Sequence, residues 1–247
     1  MKRRLVVNMG FACLLSFASI CGAGAQTADL IVGSTVSGPP FAYRDGGTYT
    51  GFDIDVWDQV AKGIGRTYRI QPMEFASLIP ALQTRNIDVV TAQLFIRPER
   101  QQVIDFSDPY YQSGLLAVVK INNETINTPA DLAGKVIGTE TGTVAVDFVK
   151  KNITNAKIEQ LSDINSALLA LDAGRTDAVV YDAPKLNIYA AKAGKGKVKV
   201  IGPKLYNVDV GLGLQKGSDL APAINKQLAA MKADGRIEAL KKKWFGE

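Results

Sequence analysis

The sequence contains no histidine, and its only two cysteines, Cys13 and Cys21, lie within the first 25 residues. Without histidine, a chain cannot build a Ser-His-Asp or Cys-His catalytic group, and almost every kind of zinc site is excluded. Any chemistry would therefore depend on carboxylates, Lys, Tyr or Ser. If the N-terminal segment is removed, the mature chain also has no thiol and no disulfide, so its stability must come from its core.

The first 25 residues have the composition of an export signal. Three basic residues at positions 2–4 precede an apolar stretch over residues 5–20, and small residues up to Ala25 fit a cleavage site. The apolar stretch is shorter than the roughly 20 residues that a spanning helix needs, which disfavours a membrane anchor. A lipid-attached form through Cys21 is also disfavoured, because Ile20 is bulky where a small residue is expected. We therefore predict a signal peptide that is cleaved after about Ala25.

The charge of the chain is nearly balanced once this leader is left out. Lys and Arg number 29 against 24 Asp and Glu in the full chain, and three of the basic residues lie in the leader. The short basic runs at residues 150–151 and 241–243 are typical of solvated helix faces. No nucleic-acid-binding motif accompanies them, so we do not expect nucleic acid to be a partner.

Short apolar runs alternate with helical patterns after the leader, which predicts an α/β protein. About 222 residues remain after cleavage, enough for two lobes of roughly 100 residues each. Two extended segments that contain glycine, residues 111–120 and 208–215, are predicted to be strands that cross between the lobes, and such a layout gives a hinge. The predicted division is a discontinuous lobe 1 over residues 29–110 and 211–247, a lobe 2 over residues 115–205, and hinges near residues 111–114 and 206–210.

The hydrophobic periodicity also predicts individual elements. One amphipathic helix opens at Phe52, and a second helix runs from Thr141 onward. The predicted strands cover residues 30–33, 68–73, 87–91, 135–139, 157–161 and 177–181, and the other predicted helices cover residues 76–84, 99–103, 162–171, 220–232 and 237–245. In open α/β sheets ligands bind beyond the carboxyl ends of such strands, which directs attention to Thr91-Ala92-Gln93 and to Tyr181-Asp182.

Residues 86–111 carry the most suggestive local feature. Pro98 suits the first turn of a helix, which places Arg100 near the positive end of that helix. A guanidinium beside free backbone amides is suited to bidentate binding of a carboxylate. The alternative is a surface arginine that is paired with Glu99 or Asp105.

Six motifs occur in order along the chain. They are YTGFDID at residues 49–55, PALQ at 80–83, PER at 98–100, IDFSDPYY at 104–111, TGT at 141–143 and KWFG at 243–246. Together they resemble the periplasmic amino-acid-binding proteins of ABC transporters, most closely the glutamine-binding proteins, and the resemblance covers essentially the whole chain after the leader. It implies a two-lobed, type II periplasmic-binding-protein fold in which each lobe is a mixed sheet flanked by helices. It also implies a monomeric periplasmic receptor that closes on an amino-acid ligand, uses no cofactor or metal, and meets a membrane permease transiently.

The resemblance also implies roles for individual residues. Arg100 would bind the α-carboxylate of the ligand, Asp182 would bind the α-ammonium, and Phe75 would pack on the ligand. Backbone groups at further positions would assist the arginine, namely Ala92, Gln93, Gly142 and Thr143. This agrees with the physics, since a zwitterion that is buried by lobe closure needs both of its charges paired.

The side-chain end of the pocket departs from the glutamine-binding pattern. The departures lie at Thr35, Gly38, Gln93, Phe95, Glu140, Val144 and Tyr181. Glutamine is therefore doubtful as the ligand. Glu140 either favours a cationic or hydrogen-bond-donating side chain, or points to solvent as an ordinary turn residue.

Two other functions stay open. One is a periplasmic enzyme that resembles the cyclohexadienyl dehydratases and uses Glu140 as a general acid, although the sequence offers no second clear catalytic group. The other is the ligand-sensing domain of a receptor. It is disfavoured because the chain ends at Glu247 with no membrane segment or signalling domain.

Overall fold

The computed structural model describes residues 29–246, and the predicted signal peptide lies outside these residues. In chain order the strands are β1 (Leu30–Ser34), β2 (Tyr43–Asp45), β3 (Thr48–Thr50), β4 (Tyr68–Pro72), β5 (Val89–Val90), β6 (Asp105–Phe106), β7 (Tyr111–Lys120), β8 (Val136–Glu140), β9 (Lys157–Leu161), β10 (Ala178–Asp182), β11 (Val198–Val210) and β12 (Gly213–Leu214). The helices are α1 (Phe52–Gly63), α2 (Phe75–Gln83), α3 (Pro98–Gln101), α4 (Val144–Asn152), α5 (Ile164–Asp172), α6 (Ala183–Ala191), α7 (Ala221–Ala233) and α8 (Arg236–Phe245).

Two five-stranded mixed sheets organise the molecule. The first has the strand order β4-β1-β5-β12-β6, in which β1 is parallel to β4 and β5 while β12 is antiparallel to both of its neighbours. The second has the order β11-β7-β10-β8-β9, in which β8 is parallel to β9 and β10 while β7 is antiparallel to β10 and β11. We call the first sheet with helices α1, α2, α3, α7 and α8 lobe 1, and the second sheet with α4, α5 and α6 lobe 2.

Helix α1 shows how the sequence pattern produces the packing. Phe52, Val56 and Val60 recur at helical spacing and are fully buried, which fixes the apolar face of the helix. Asp53 and Asp55 lie in its first turn, where the helix dipole favours negative charge. The Asp55 carboxylate accepts hydrogen bonds from the side chains of Lys243 and Trp244, so α8 is tied back onto α1.

Most element predictions are confirmed, and the differences have physical causes. The helix predicted at residues 99–103 ends earlier, at Gln101, because the amides of Val103 and Ile104 both turn back to the Arg100 carbonyl. The helix predicted from Thr141 begins at Val144, after a turn in which the Thr143 hydroxyl donates to the Glu140 carbonyl. The extended segment predicted at residues 208–215 is divided between β11 and β12.

The sheets bring four polar segments to one region between the lobes. Strands β1 and β5 end at Ser34 and Val90, directly before Thr35 and before the loop that leads to Arg100. Strands β8 and β10 are parallel neighbours and end at Glu140 and Asp182. The carboxyl ends of both sheets therefore supply the polar groups that were singled out in the sequence.

Candidate ligand-binding site

Eight of the predicted site residues surround one small cavity between the lobes. Lobe 1 contributes four of them and lobe 2 the other four: Phe75, Gln93, Phe95 and Arg100, and Thr143, Val144, Tyr181 and Asp182. The cavity measures about 10 Å³, close to the space that a single water molecule needs. An amino acid would therefore enter only when the two lobes move apart.

The remaining predicted residues lie close by but not on this cavity. Thr35 and Glu140 line a neighbouring cavity of about 360 Å³, and Gly38 lines another of about 350 Å³. Ala92 is buried in the apolar cluster that contains Phe75. The Gly142 carbonyl accepts a hydrogen bond from Arg100, as described next.

Arg100 projects from the short helix α3 and is buried, with 8% of its surface exposed. Its guanidinium donates to the Phe95 carbonyl at 3.0 Å and, across the lobes, to the Gly142 carbonyl at 3.1 Å. The guanidinium carbon lies 5.3 Å from the centre of the Phe75 ring. Burial lowers the pKa of Arg100 to about 10, so the side chain stays charged at neutral pH.

The alternative of a surface arginine is wrong. Glu99 pairs with Arg97 and Asp105 pairs with Lys216, so both of the carboxylates proposed as partners are engaged elsewhere. Within residues 29–246, Arg100 forms no ion pair closer than 4 Å, and both of its hydrogen-bond acceptors are neutral carbonyls. A buried cation without a counter-ion is suited to receive an anion.

Asp182 is the corresponding anion on lobe 2. It ends β10 and has 8% of its surface exposed, yet its carboxylate accepts no hydrogen bond from the part of the chain that the structure describes. Burial, with the nearby charge of Glu140, holds the pKa of Asp182 well above its usual range, while the Arg100 guanidinium acts in the opposite direction. A cationic group placed beside this carboxylate would restore its ionised form.

Glu140 and Tyr181 form a buried pair between the small cavity, which Tyr181 lines, and the 360 Å³ cavity, which Glu140 lines. The Tyr181 hydroxyl donates to the Glu140 carboxylate at 2.5 Å. Burial raises the pKa of Glu140 to about 7, and it raises the pKa of Tyr181 well above its ordinary value. With only 2% of its surface exposed, Glu140 does not point to solvent as an ordinary turn residue would.

Two features are absent from residues 29–246. No cluster of His, Cys, Asp or Glu is arranged to hold a metal ion. No helix in this part of the chain is long and apolar enough to cross a membrane.

With this geometry established, comparison with known proteins identifies the family. Residues 30–247 match the sequence model of the bacterial extracellular solute-binding proteins, family 3. The chain belongs to this family. The L-cystine-binding protein TcyJ of Escherichia coli K12 is 34% identical over 220 residues, which cover 88% of this chain and 82% of TcyJ.

Two solved structures are also similar to this solute-binding protein. An ancestral arginine-binding protein bound to arginine matches with a TM-score of 0.84 and 37% identity, covering 89% of this chain and 99% of that protein. The ancestral amino-acid-binding protein AncCDT-1, described as a precursor of cyclohexadienyl dehydratase, matches with a TM-score of 0.79 and 34% identity, covering 88% of this chain and 95% of that protein. The fold of this family, two lobes that are each a mixed sheet flanked by helices, is therefore the fold of this protein.

Sequence reasoning missed two hydrogen bonds that join the lobes of this solute-binding protein at Ser37. The Lys185 ammonium and the Asn165 amide, both on lobe 2, donate to the Ser37 carbonyl of lobe 1 at 2.8 and 3.0 Å. Burial lowers the pKa of Lys185 to about 8. Lys185 lies in α6, which was not predicted, and its contact with Ser37 spans 148 residues, so no local pattern indicates it.

Sequence reasoning also missed the role of Asp53, although it lies inside a recognised motif. This fully buried carboxylate accepts hydrogen bonds from the Tyr110 hydroxyl at 2.7 Å and from the backbone N–H of Gln93 at 2.5 Å. It thereby holds Gln93 in a left-handed conformation with φ +49°, and the Gln93 side chain donates to Ser113 at 3.1 Å. The backbone N–H and the side-chain amide of Gln93 are thus both engaged within the protein, and Gln93 lines the cavity in this position.

Proposed function

We propose that this solute-binding protein is a periplasmic receptor that closes its two lobes on one amino acid and delivers it to an ABC permease. The observation that carries the proposal is the placement of Arg100 and Asp182, which face one cavity from opposite lobes. The relatives support the same class of ligand, since one is named an L-cystine-binding protein and another an arginine-binding protein.

The two charged residues match the two charges of an amino acid. Arg100 would bind the α-carboxylate in place of its present contact with the Gly142 carbonyl, while Asp182 would accept hydrogen bonds from the α-ammonium. An unpaired charge in a buried site costs several kcal/mol, and a zwitterion neutralises both residues at once. Because each lobe holds one partner, both pairs form only when the lobes are together.

The pairing of β7 with β11 supports the hinges that we propose near residues 111–114 and 206–210. These strands pair continuously from Tyr111 with Val210 to Leu115 with Tyr206, and their register shifts between Tyr206 and Ile201. A Cβ added at Gly114 would lie 2.1 Å from the Tyr206 carbonyl oxygen, so the two strands approach closely where they cross between the lobes. With these hinges, the lobes would divide as residues 29–110 with 211–247, and 115–205.

The state of the working protein is part of the same proposal. We infer that the leader is cleaved after about Ala25 and that the mature protein acts as a monomer without nucleic acid. Peptide mass analysis of the N-terminus and sedimentation of the purified protein test these two points.

A thermal-shift screen over the proteinogenic amino acids, with opines and polyamines added, tests the receptor function. A bound ligand raises the melting temperature in proportion to the logarithm of its concentration once the site is saturated. We expect Arg100→Ala to abolish the shift, whereas Arg175→Ala, which removes an exposed arginine that pairs with Glu159 inside lobe 2, should retain it. Full ligand affinity in Arg100→Ala would refute the assignment of the site.

One observation favours a second candidate function. Glu140 is buried and its pKa is raised to about 7, which is what a general acid needs for dehydratase chemistry. AncCDT-1, however, is described as an amino-acid-binding protein, and the other two proteins compared are named for binding, so we assign binding and not catalysis. Turnover of prephenate or arogenate that disappears in Glu140→Gln would reverse this assignment.

A further inference from the structure

A second cavity beside Arg100 and Asp182 bears on the side chain of the ligand. It measures about 360 Å³, and it is lined by Thr35, Val36, Ser37, Pro72, Met73, Glu74, Glu140, Ser162, Asp163 and Asn165. Three of these residues are acidic, and none of the residues described along this cavity is Lys or Arg. Val36, Pro72 and Met73 provide apolar surface next to the carboxylates. This combination suits a chain of methylene groups that ends in a positive charge.

Glu140 is the buried carboxylate of this cavity, whereas Glu74 is exposed and Asp163 is partly exposed. The only hydrogen bond to the Glu140 carboxylate from the described residues comes from Tyr181, and this carboxylate takes part in no ion pair within 4 Å there. Lys185 is the basic residue whose charge lowers the pKa of Glu140, but its ammonium donates its hydrogen bond to the Ser37 carbonyl. By contrast, Asp163 caps α5 and already accepts from the amides of Asn165 and Ser166.

The charges around the two cavities do not balance. Four carboxylates, those of Glu74, Glu140, Asp163 and Asp182, line one cavity or the other, whereas Arg100 is the one cation that lines either cavity among the described residues. Adding Lys185 still leaves an excess of two negative charges. An amino acid with a neutral side chain adds no net charge, whereas a cationic side chain reduces the excess. Of the four carboxylates, those of Glu140 and Asp182 are buried, and buried charges favour compensation most strongly.

We propose that the ligand is an amino acid with a cationic side chain, which extends from the Arg100 and Asp182 cavity past Tyr181 to Glu140. The inference rests on the proposed receptor function. Tyr181 lines the first cavity, and its hydroxyl contacts Glu140 in the second, so it marks the route between them. The cation would lie against the Glu140 carboxylate, and the methylene groups would lie against Val36, Pro72 and Met73.

Isosteric ligand pairs test this proposal without any change to the protein. We suggest titration calorimetry of the mature protein at pH 8 with L-arginine against L-citrulline, and with L-lysine against L-2-aminoheptanoic acid, in which a methyl group replaces the ammonium. Within each pair the size of the side chain is nearly the same and its charge differs. We expect the cationic member of at least one pair to bind at least tenfold more tightly.

Glu140→Gln then tests the residue itself. This substitution keeps the shape and the ability to accept from Tyr181 but removes the negative charge. The cationic preference should fall to less than threefold, while Glu159→Gln, which removes a carboxylate of lobe 2 that pairs with Arg175, should keep the full preference. A folded Glu140→Gln protein that retains the preference would overturn the role of Glu140.

The pH dependence gives an independent measurement on the wild type. Protonation of Glu140 would remove the attraction for the cation, so the affinity for the cationic ligand should fall between pH 8 and pH 6, around the raised pKa of about 7. The groups that face Glu140 are Tyr181, Lys185, Asp163, Glu74 and Asp182. Lys185, whose pKa is lowered to about 8, gains its proton over the same range and repels the same cation, so the pH dependence that remains in Glu140→Gln has to be subtracted to isolate Glu140.

The outcomes separate this inference from the receptor function. Equal or tighter binding of the neutral member in both pairs, or binding of neutral amino acids only, would overturn the cationic assignment and leave an amino-acid receptor. If no amino acid binds in the thermal-shift screen, the receptor function itself fails. A cationic preference that depends on Glu140 supports both.

Discussion

Arg97 and Asp147 form an ion pair that joins the two lobes, with the guanidinium nitrogen 2.7 Å from the carboxylate oxygen. Arg97 precedes α3 in lobe 1, and Asp147 lies in the first turn of α4 in lobe 2. Together with the bond from Arg100 to Gly142 and the two donors on the Ser37 carbonyl, this pair fixes the present arrangement of the lobes. The Arg97 and Asp147 pair and the two donors on the Ser37 carbonyl contribute to ligand affinity without touching the ligand, because they stabilise the closed form only.

We therefore expect Arg97→Gln to weaken ligand binding by roughly two- to fivefold. The Asp147 side chain is about half exposed, and a pair at this exposure contributes only about 0.2–1 kcal/mol. Calorimetry at low and high salt measures the effect, and the difference from wild type should shrink as salt screens the pair. Arg175→Gln, which removes an ion pair within lobe 2, is the matched control. Equal affinities of Arg97→Gln and wild type at low salt would show that the pair does not support closure.

Gly142 gives a way to disturb closure through sterics. Its φ is +79°, and an added Cβ would lie 3.2 Å from both Cα and Cβ of Ala76 on the other lobe. We expect Gly142→Ala to weaken ligand binding at least fivefold, because the methyl group crowds Ala76 and holds the lobes a few tenths of an ångström further apart. Measured dissociation constants check this.

Gly174→Ala is the control that separates the steric effect of the added methyl group from the backbone strain at positive φ. The φ of +74° at Gly174 is similar, but among the described residues the only atom near an added Cβ is the Lys120 ammonium nitrogen at 3.5 Å. Both alanine variants carry a backbone cost of about 1 kcal/mol, which lowers the melting temperature of a protein of this size by about 2–4 °C. Only Gly142→Ala should lose affinity. A comparable loss in Gly174→Ala would trace the effect to backbone strain.

Asp53 should make stability depend on pH. Burial raises its pKa to about 7, against the weaker opposite effects of the bonds from Tyr110 and Gln93. The folded protein therefore holds a proton that the unfolded chain releases near pH 4, so the contribution of Asp53 is fully present below about pH 4 and is lost as the pH rises through 7. Asp53→Asn stays neutral, and its amide can donate to the Tyr110 hydroxyl while its oxygen accepts from Gln93.

Urea unfolding at pH 5 and pH 8 measures this effect. Relative to Asp53→Asn, the wild type should lose up to about 1.4 kcal/mol per pH unit within that window. Asp53→Ala should be less stable at both pH values, by about 1–3 kcal/mol for each of the two donors that it leaves unpaired. Parallel stability curves for the wild type and Asp53→Asn would show that the Asp53 carboxyl does not titrate in this range.

The elements of the fold followed from the sequence where a local pattern specified them. The buried spacing of Phe52, Val56 and Val60 predicted α1, and the strand predicted at residues 157–161 coincides with β9 over its whole length. Strand β11 was predicted only from residue 208, although it begins at Val198. Its first half is extended because it pairs with β7, and that long-range pairing leaves no local signature.

The candidate site was predictable to the same degree. Arg100 and Asp182 stood out by their residue type and by their position after buried strands, and both face one cavity. The contacts of Lys185 with Ser37, and of Arg100 with Gly142, join residues 148 and 42 positions apart across the two lobes. Hydrophobic periodicity describes one element at a time, so it cannot show which elements face each other over a cleft.

The ladder between β7 and β11 determines what kind of motion the proposed hinges allow. Because residues 111–115 stay hydrogen-bonded to residues 206–210, the two crossing segments form one ribbon instead of two independent tethers. Such a ribbon bends and twists as an elastic strip while its backbone bonds remain intact. Its amide protons should therefore exchange slowly with solvent in the open and closed forms alike. Opening should bend the whole ribbon and should not break its backbone hydrogen bonds.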